Sequence, residues 1–172
     1  MDIKTFFEKS TGKWFCQCTS QHLGHSQSDW QRTDTWITLL DENDSAAREL
    51  CAQFNIDPSL IIGAIAARWE GIMNREPDKK TGNSLLVAID NAEAPGQGTL
   101  LRQSSPGNVA TTACYMFEDN ETLVVMSEQD GLQTEERLWF VSDKLRLRTS
   151  VLKRPDAFDT TSFFSEIYVG EA

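Results

Sequence analysis

Basic residues are the scarce class in this chain. Sixteen lysines and arginines stand against 26 aspartates and glutamates, leaving a formal net charge of −10. Such a surface repels phosphate backbones, so nucleic acid is not an expected partner. Long apolar runs are also lacking. The longest, Leu60 to Ala67, falls far short of the ~20 residues that a spanning helix needs, so no membrane span is expected. The opening MDIKTFFEKSTG carries Asp2 and Glu8 and lacks the apolar stretch of a secretory signal. Cys16, Cys18, Cys51 and Cys114 show no framework spacing. Without an export signal they read as reduced thiols of a cytoplasmic protein. Gly96-Gln97-Gly98 has no third glycine after it, which removes the dinucleotide fingerprint. The sequon Asn120-Glu121-Thr122 has no use in the cytosol.

What is present is a globular composition, 40% hydrophobic, in 172 residues. No linker, repeat or low-complexity segment divides it, so one domain over residues 1–172 is expected. A short first helix is predicted, capped by Asp2, with Ile3, Phe6 and Phe7 on one face. A second is capped by Asp44 or Asn43 and carries the stripe Ala46, Ala47, Leu50, Cys51 and Phe54. Asp57-Pro58 reads as a turn that can restart a brief helix.

The remainder alternates as strands. Ten are predicted: 13–20, 30–40, 65–73, 84–90, 98–103, 109–117, 121–127, 132–141, 145–153 and 161–169. Separators such as EPDKKTGN, SSPGN, EQDG and RPDAFD are rich in turn residues. Short connections between successive strands indicate an antiparallel meander. The expected fold class is all-β, a ten-stranded up-and-down barrel with two short helices. Gly12-Lys13-Trp14, at the entry of the first strand, resembles the signature of the calycin (lipocalin and fatty-acid-binding) superfamily. Barrels of this size hold one small ligand in the lumen.

Three constellations could carry chemistry. The segment WFCQCTSQHLGHSQ holds Cys16, Cys18 and both histidines, His22 and His25. Cys-x-Cys in a strand places the two sulfurs on one face about 7 Å apart, too far to share an ion or a disulfide. No metal is therefore expected, and the cysteines read as barrel wall. The hairpin LQTEERLWFV-SD-KLRLRTSVL is richer. Arg146, Arg148 and Ser150 share one face of its second strand, and Leu145, Leu147, Thr149 and Val151 share the other. If the leucines pack outward under the helices, the arginines point into the lumen, where they need carboxylate partners. On charge alone, a solvated arginine face is the simpler reading. A ligand's carboxylates could serve as partners, as could Glu135 and Glu136. The third constellation is the tryptophans. Any single one reads as core, but Trp69, and Trp139 beside Arg137, together with arginines suit a large planar anionic ligand.

Several stretches together resemble the S/U-type phycobiliprotein chromophore lyases. They are MDIKTFFEKSTGKWF, Leu50-Cys51 through Ile56-Asp57-Pro58-Ser59, Trp69-Glu70-Gly71 and Leu100-Leu101-Arg102. Glu135-Glu136-Arg137-Leu138-Trp139-Phe140, Leu145-Arg146-Leu147-Arg148-Thr149-Ser150 and Ser165-Glu166-Ile167 complete the set. The resemblance implies a ten-stranded calycin barrel that binds an open-chain phycobilin, such as phycocyanobilin or phycoerythrobilin, as substrate. It implies transfer of that bilin to a cysteine of a phycobiliprotein or allophycocyanin subunit, as a thioether. In that reading Arg146 and Arg148 hold the propionates, with Arg137 and Ser150 nearby, and Trp69 and Trp139 flank the rings. Glu136 and His22 are the acid–base candidates. A non-catalytic bilin carrier and a generic calycin for another hydrophobic ligand are the alternatives.

The chain also departs from the family pattern. Members that act alone commonly show Arg-Thr-Ser-His-His, where this chain has Cys18-Thr19-Ser20-Gln21-His22. A second family tryptophan is replaced by Arg75. These losses favour a subunit that works with an S-type sister over a lyase that acts alone, and a homodimer is the other pairing the resemblance leaves open.

Overall fold

A computed structural model describes residues 1–24, 27–74, 76–91, 94, 96–119, 121–155 and 157–171. His25, Arg75 and the sequon's Asn120 lie outside the described residues.

Helix α1 spans Ile3–Ser10, and Asp2 caps it by accepting from the Thr5 backbone N–H at 2.8 Å. The strands are β1 (Gly12–His22), β2 (Gln27–Leu40), β3 (Ile61–Met73), β4 (Glu76–Ile89), β5 (Gln97–Ser105), β6 (Val109–Glu118), β7 (Thr122–Gln129), β8 (Leu132–Ser142), β9 (Leu145–Arg154) and β10 (Ala157–Gly170). Between β2 and β3 lie helix α2 (Ser45–Gln53), capped by Asp44 and not Asn43, and a 3-10 turn at Pro58–Leu60. Every strand pairs antiparallel with its neighbours, and β1 pairs with β10 to close the barrel. Closure removes exposed strand edges. Among the described residues, no helix is long and apolar enough to cross a membrane.

Two predicted separators turn out to be strand. All of EPDKKTGN belongs to β4, and part of RPDAFD belongs to β10. At the start of β4 the hairpin is polar on both faces, with Lys80 paired to Glu76 and Lys79 to Glu70. Alternation of apolar residues, the usual signal of a strand, is absent there.

Apolar burial divides into an end plug and an outer saddle. Phe6 and Phe7 of α1 close one end of the barrel, with Trp14, Ile37, Tyr115 and Leu123. Trp14 donates from Nε1 to the Ser10 carbonyl at 2.8 Å and meets Tyr168 edge-on. This is the barrel-closing tryptophan that the Gly-x-Trp signature implied. Outside the wall, Ala47, Leu50 and Cys51 of α2 pack on Ala64, Val87, Ile89 and Leu101. Each large side chain so buried contributes about 2 kcal/mol.

Candidate functional site

Strand register arranges the site as rungs that cross β8, β9, β10 and β1. The rung next to the plug is Phe140, Arg146, Glu166, Cys16. The next is Leu138, Arg148, Phe164, Cys18, followed by Glu136, Ser150, Ser162, Ser20. At the mouth stands Thr134, Leu152, Thr160, His22. Rungs on one face repeat about every 7 Å, so the ladder runs about 20 Å from plug to rim.

The lumen holds a cavity of about 550 Å³, within the range of small-ligand sites. Its lining includes Arg146, Arg148, Glu136 and Glu166 on one side and Ile65, Ala67, Trp69, Leu86 and Leu100 on the other. Both arginines thus point inward, so the solvated-face reading does not hold. The leucines of β9 do point outward, but no helix covers them, because α2 packs against β4 and β5 instead. A second cavity, about 570 Å³, lies against Trp36, Arg68, Leu85 and Gln103 below α2. There Arg68 stacks on Trp36 at 3.8 Å, which occupies that cation with an aromatic face. The charged, enclosed lumen is the stronger candidate.

Two arginines inside a barrel require anions. Arg146 Nε donates to Glu166 at 2.5 Å, and its Nη1 donates to Ser10 Oγ at 2.7 Å. Arg146 and Glu166 are 7% and 5% exposed, so this pair is locked behind the plug. Arg148 is held more loosely. Its Nη1 lies 3.4 Å from Glu136 and its Nη2 3.6 Å from Glu166. Its guanidinium carbon sits 3.7 Å from the Phe164 ring centroid, and its buried Nε has no hydrogen-bond partner. Arg102 approaches the other oxygen of Glu136 at 4.0 Å.

Burial alone would raise the Glu166 carboxyl, but Arg146 and Arg148 override it and hold the group below the ordinary carboxylate range. Burial would likewise favour a neutral Arg148, and Glu166 and Glu136 keep it charged. The Cys16 thiol is pushed up to about 11, first by burial and then by Glu166. Cys18 shifts the same way, chiefly by burial.

Trp69 lines the cavity and lies over its register partner Gly82. A Cβ on Gly82 would fall 2.6 Å from the indole and 2.7 Å from the Ser105 carbonyl, so only glycine fits beneath the ring. His22 stands at the rim, held by Asp29 at 2.8 Å and Thr160 at 3.1 Å. It is one rung beyond Glu136, so the two acid–base candidates lie at different depths. Ser150 follows Arg148 on the inward row of β9.

Arg137 and Trp139 are not brought into the lumen. Alternation puts them on the outer face of β8, opposite Glu136, Leu138 and Phe140. Arg137 is tied there to Glu118 and Glu135. Glu166 and Arg102 stand in stretches shared with the family but carry no role in the sequence alone, and nothing in the sequence marks Asp29. Glu166 sits between Phe164 and Tyr168 in a strand apolar on both faces, so nothing in β10 alone marks it as inward. Cys16, Cys18 and His22 fall on three separate rungs.

A family model described as CpeS-like protein matches residues 2–169. The chain is 37% identical over 171 residues to a chromophore lyase CpcS/CpeS of Thermosynechococcus vestitus, across 99% of this chain and 94% of that protein. It is 31% identical over 168 residues to the phycocyanobilin lyase subunit CpcS of Picosynechococcus sp., across 96% of this chain and 85% of that one. The solved structure of the S-type phycobiliprotein lyase CPES from Guillardia theta superimposes with a TM-score of 0.87 at 26% identity, covering 100% of this chain and 95% of that one. Rungs of charge in a plugged ten-stranded barrel and this likeness along the whole chain agree: the chain belongs to the CpcS/CpcU/CpeS-like family of phycobiliprotein lyases.

Proposed function

We infer that the lumen of this bilin-binding phycobiliprotein lyase holds one phycobilin with its propionates toward Arg148 and its rings toward Trp69. The observation that carries this is the unpartnered Arg148 Nε in the cavity wall. A buried donor is normally paired, and a carboxylate of an incoming ligand completes it. Arg146 has Nε engaged by Glu166 and Nη1 by Ser10, so its role is to fix Glu166 and, through it, Arg148. Arg102 is the second candidate for a propionate.

The plug at α1 leaves the opposite end, rimmed by His22, as the way in for a cysteine of the acceptor subunit. Thioether formation joins the thiolate sulfur to the bilin's exocyclic ethylidene carbon, and the ring system takes up one proton. Glu136, next to Arg148, is placed to hydrogen-bond pyrrole N–H groups and to deliver that proton. His22, oriented by Asp29, is placed to take the thiol proton at the rim. The lumen fixes the bilin's conformation and the face it presents, which free solution does not. Cys18 and Gln21, which replace family residues on β1, favour a chain that works beside an S-type sister subunit.

Reconstitution tests this. The protein, a free bilin and an apo-phycobiliprotein are mixed with and without an S-type sister, and covalent attachment is followed by absorbance and zinc-stained gel. Absence of attachment in both mixtures would sink the transfer step. Arg148→Ala is expected to weaken bilin binding about 10- to 100-fold. Unchanged affinity would remove Arg148 from the site.

A further inference from the structure

The charges enclosed in the lumen balance before any ligand enters. Its wall holds two guanidiniums, Arg146 and Arg148, and two carboxylates, Glu136 and Glu166. Side-chain exposure is 26% or less for all four. A propionate that completes Arg148 Nε therefore brings one negative charge in excess into a poorly hydrated space. The contacts show which carboxyl yields. Glu166 is fastened by Arg146 Nε at 2.5 Å, and both arginines hold it below the ordinary carboxylate range. Glu136 reaches Arg148 by a single contact of 3.4 Å and Arg102 at 4.0 Å. A propionate on Nε competes for the same guanidinium and sets two carboxylates side by side, a placement in which one of them binds a proton. Arg102, half exposed and nearer the mouth, can meet the second propionate.

From this balance we propose that the lumen takes up about one proton as the bilin enters, and that Glu136 carries it. No other group competes for that proton. Cys16 and Cys18, on the inward row of β1, are thiols that burial already keeps protonated. His22 stands one rung farther out, paired with Asp29 at 2.8 Å. Among the described residues, β2, β3, β4, β6 and β7 give the cavity wall only uncharged side chains. The substrate thus arms its own acid. A neutral Glu136 carboxyl can donate to the bilin's imine-type nitrogen, and it holds the proton that the thioether step consumes. In that step the sulfur–carbon bond forms and the ethylidene double bond opens. The electron pair so released draws the Glu136 proton onto the ring system, while the thiol proton stays at His22. All of this rests on the bilin occupying the lumen as proposed above.

Titration calorimetry with phycocyanobilin, in buffers of different ionisation enthalpy, counts the protons. About one is expected per bilin bound near neutral pH, with affinity falling roughly tenfold per pH unit toward alkaline solution. Glu136→Gln carries a carboxamide that is neutral at any pH. It is expected to bind without proton uptake and without that slope, and at about pH 8 at least as tightly as the unaltered chain. Phycocyanobilin dimethyl ester has no free carboxylate and is expected to bind the unaltered chain without uptake. Bilin binding with no proton uptake overturns the proposal, as does uptake that persists in Glu136→Gln or with the ester. A bound bilin with the visible spectrum of the free bilin's acid cation also overturns it, because the proton then sits on the ring. Absence of binding by the unaltered chain overturns the lumen reading itself and this proposal with it, so the two failures are distinguishable.

Discussion

Strands β3–β5 and β8–β10 form opposite halves of one closed wall, and they solve burial in opposite ways. Toward the plug, the first half is apolar on both faces. Ile65, Leu86 and Leu100 face the lumen, and Ala64, Val87 and Leu101 lie under α2. The second half is inverted. Its inward row carries Glu136, Arg146, Arg148 and Glu166, while the outward rows of β9 and β10 carry leucine, phenylalanine, isoleucine and valine. A ligand in the lumen therefore meets greasy wall on one side and paired charge on the other. That asymmetry gives an amphipathic guest one favoured orientation.

Substitutions can break this contrast, and the largest effect falls on the charged half. Arg146→Met leaves Glu166 with only its longer contact to Arg148 and is expected to cost about 4 kcal/mol in urea denaturation. Adding Glu166→Leu should recover most of that loss, because the pair is then replaced and no longer broken. On the apolar half, Leu50→Ala should cost about 3 kcal/mol through the cavity it leaves under α2. Bilin affinity should be untouched, which separates stability of the saddle from function of the lumen. Smaller still is the contrast between two tryptophans of one strand class. Trp69→Ala should weaken bilin binding about tenfold, and Trp139→Ala should leave it unchanged. Equal losses would mean that the ligand also reaches the outer surface.

The smallest effect appears only in acid. The Glu166 carboxyl titrates below its ordinary value near 4.5 in the folded chain. Its contribution is therefore complete above that value and disappears as pH falls through the lowered folded pKa. The melting-temperature advantage of the unaltered chain over Glu166→Gln should hold at neutral pH and shrink as the solution is acidified below that ordinary value. A constant difference would show that the carboxylate charge does not carry the stabilisation.

Strand number, order and closure were readable because turn residues interrupt the alternation at regular spacing. The sign of that alternation was not. A period of two separates Arg146 and Arg148 from Leu145 and Leu147 but does not say which set faces inside. Glu166 decides it, from a strand whose own pattern is ambiguous. Trp139 shows a signal that was present and unused. The hairpin tip pairs it with Leu147, so a choice of inward arginines already sends Trp139 out. Pairing across the hairpin also aligns Glu136 with Ser150, which the composition of either strand alone conceals.

Cys16 gives the container a property of its own. A vessel for a thiol-reactive cargo has thiols in its wall, and a bond formed there would end the delivery. Raising Cys16 from 9.0 to about 11 cuts its thiolate population at neutral pH about a hundredfold. Burial does most of this, and Glu166, which anchors the arginines, adds its charge to keep the neighbouring nucleophile asleep. Reactivity is left to the cysteine that arrives from outside, and the cargo has a direction in which to go.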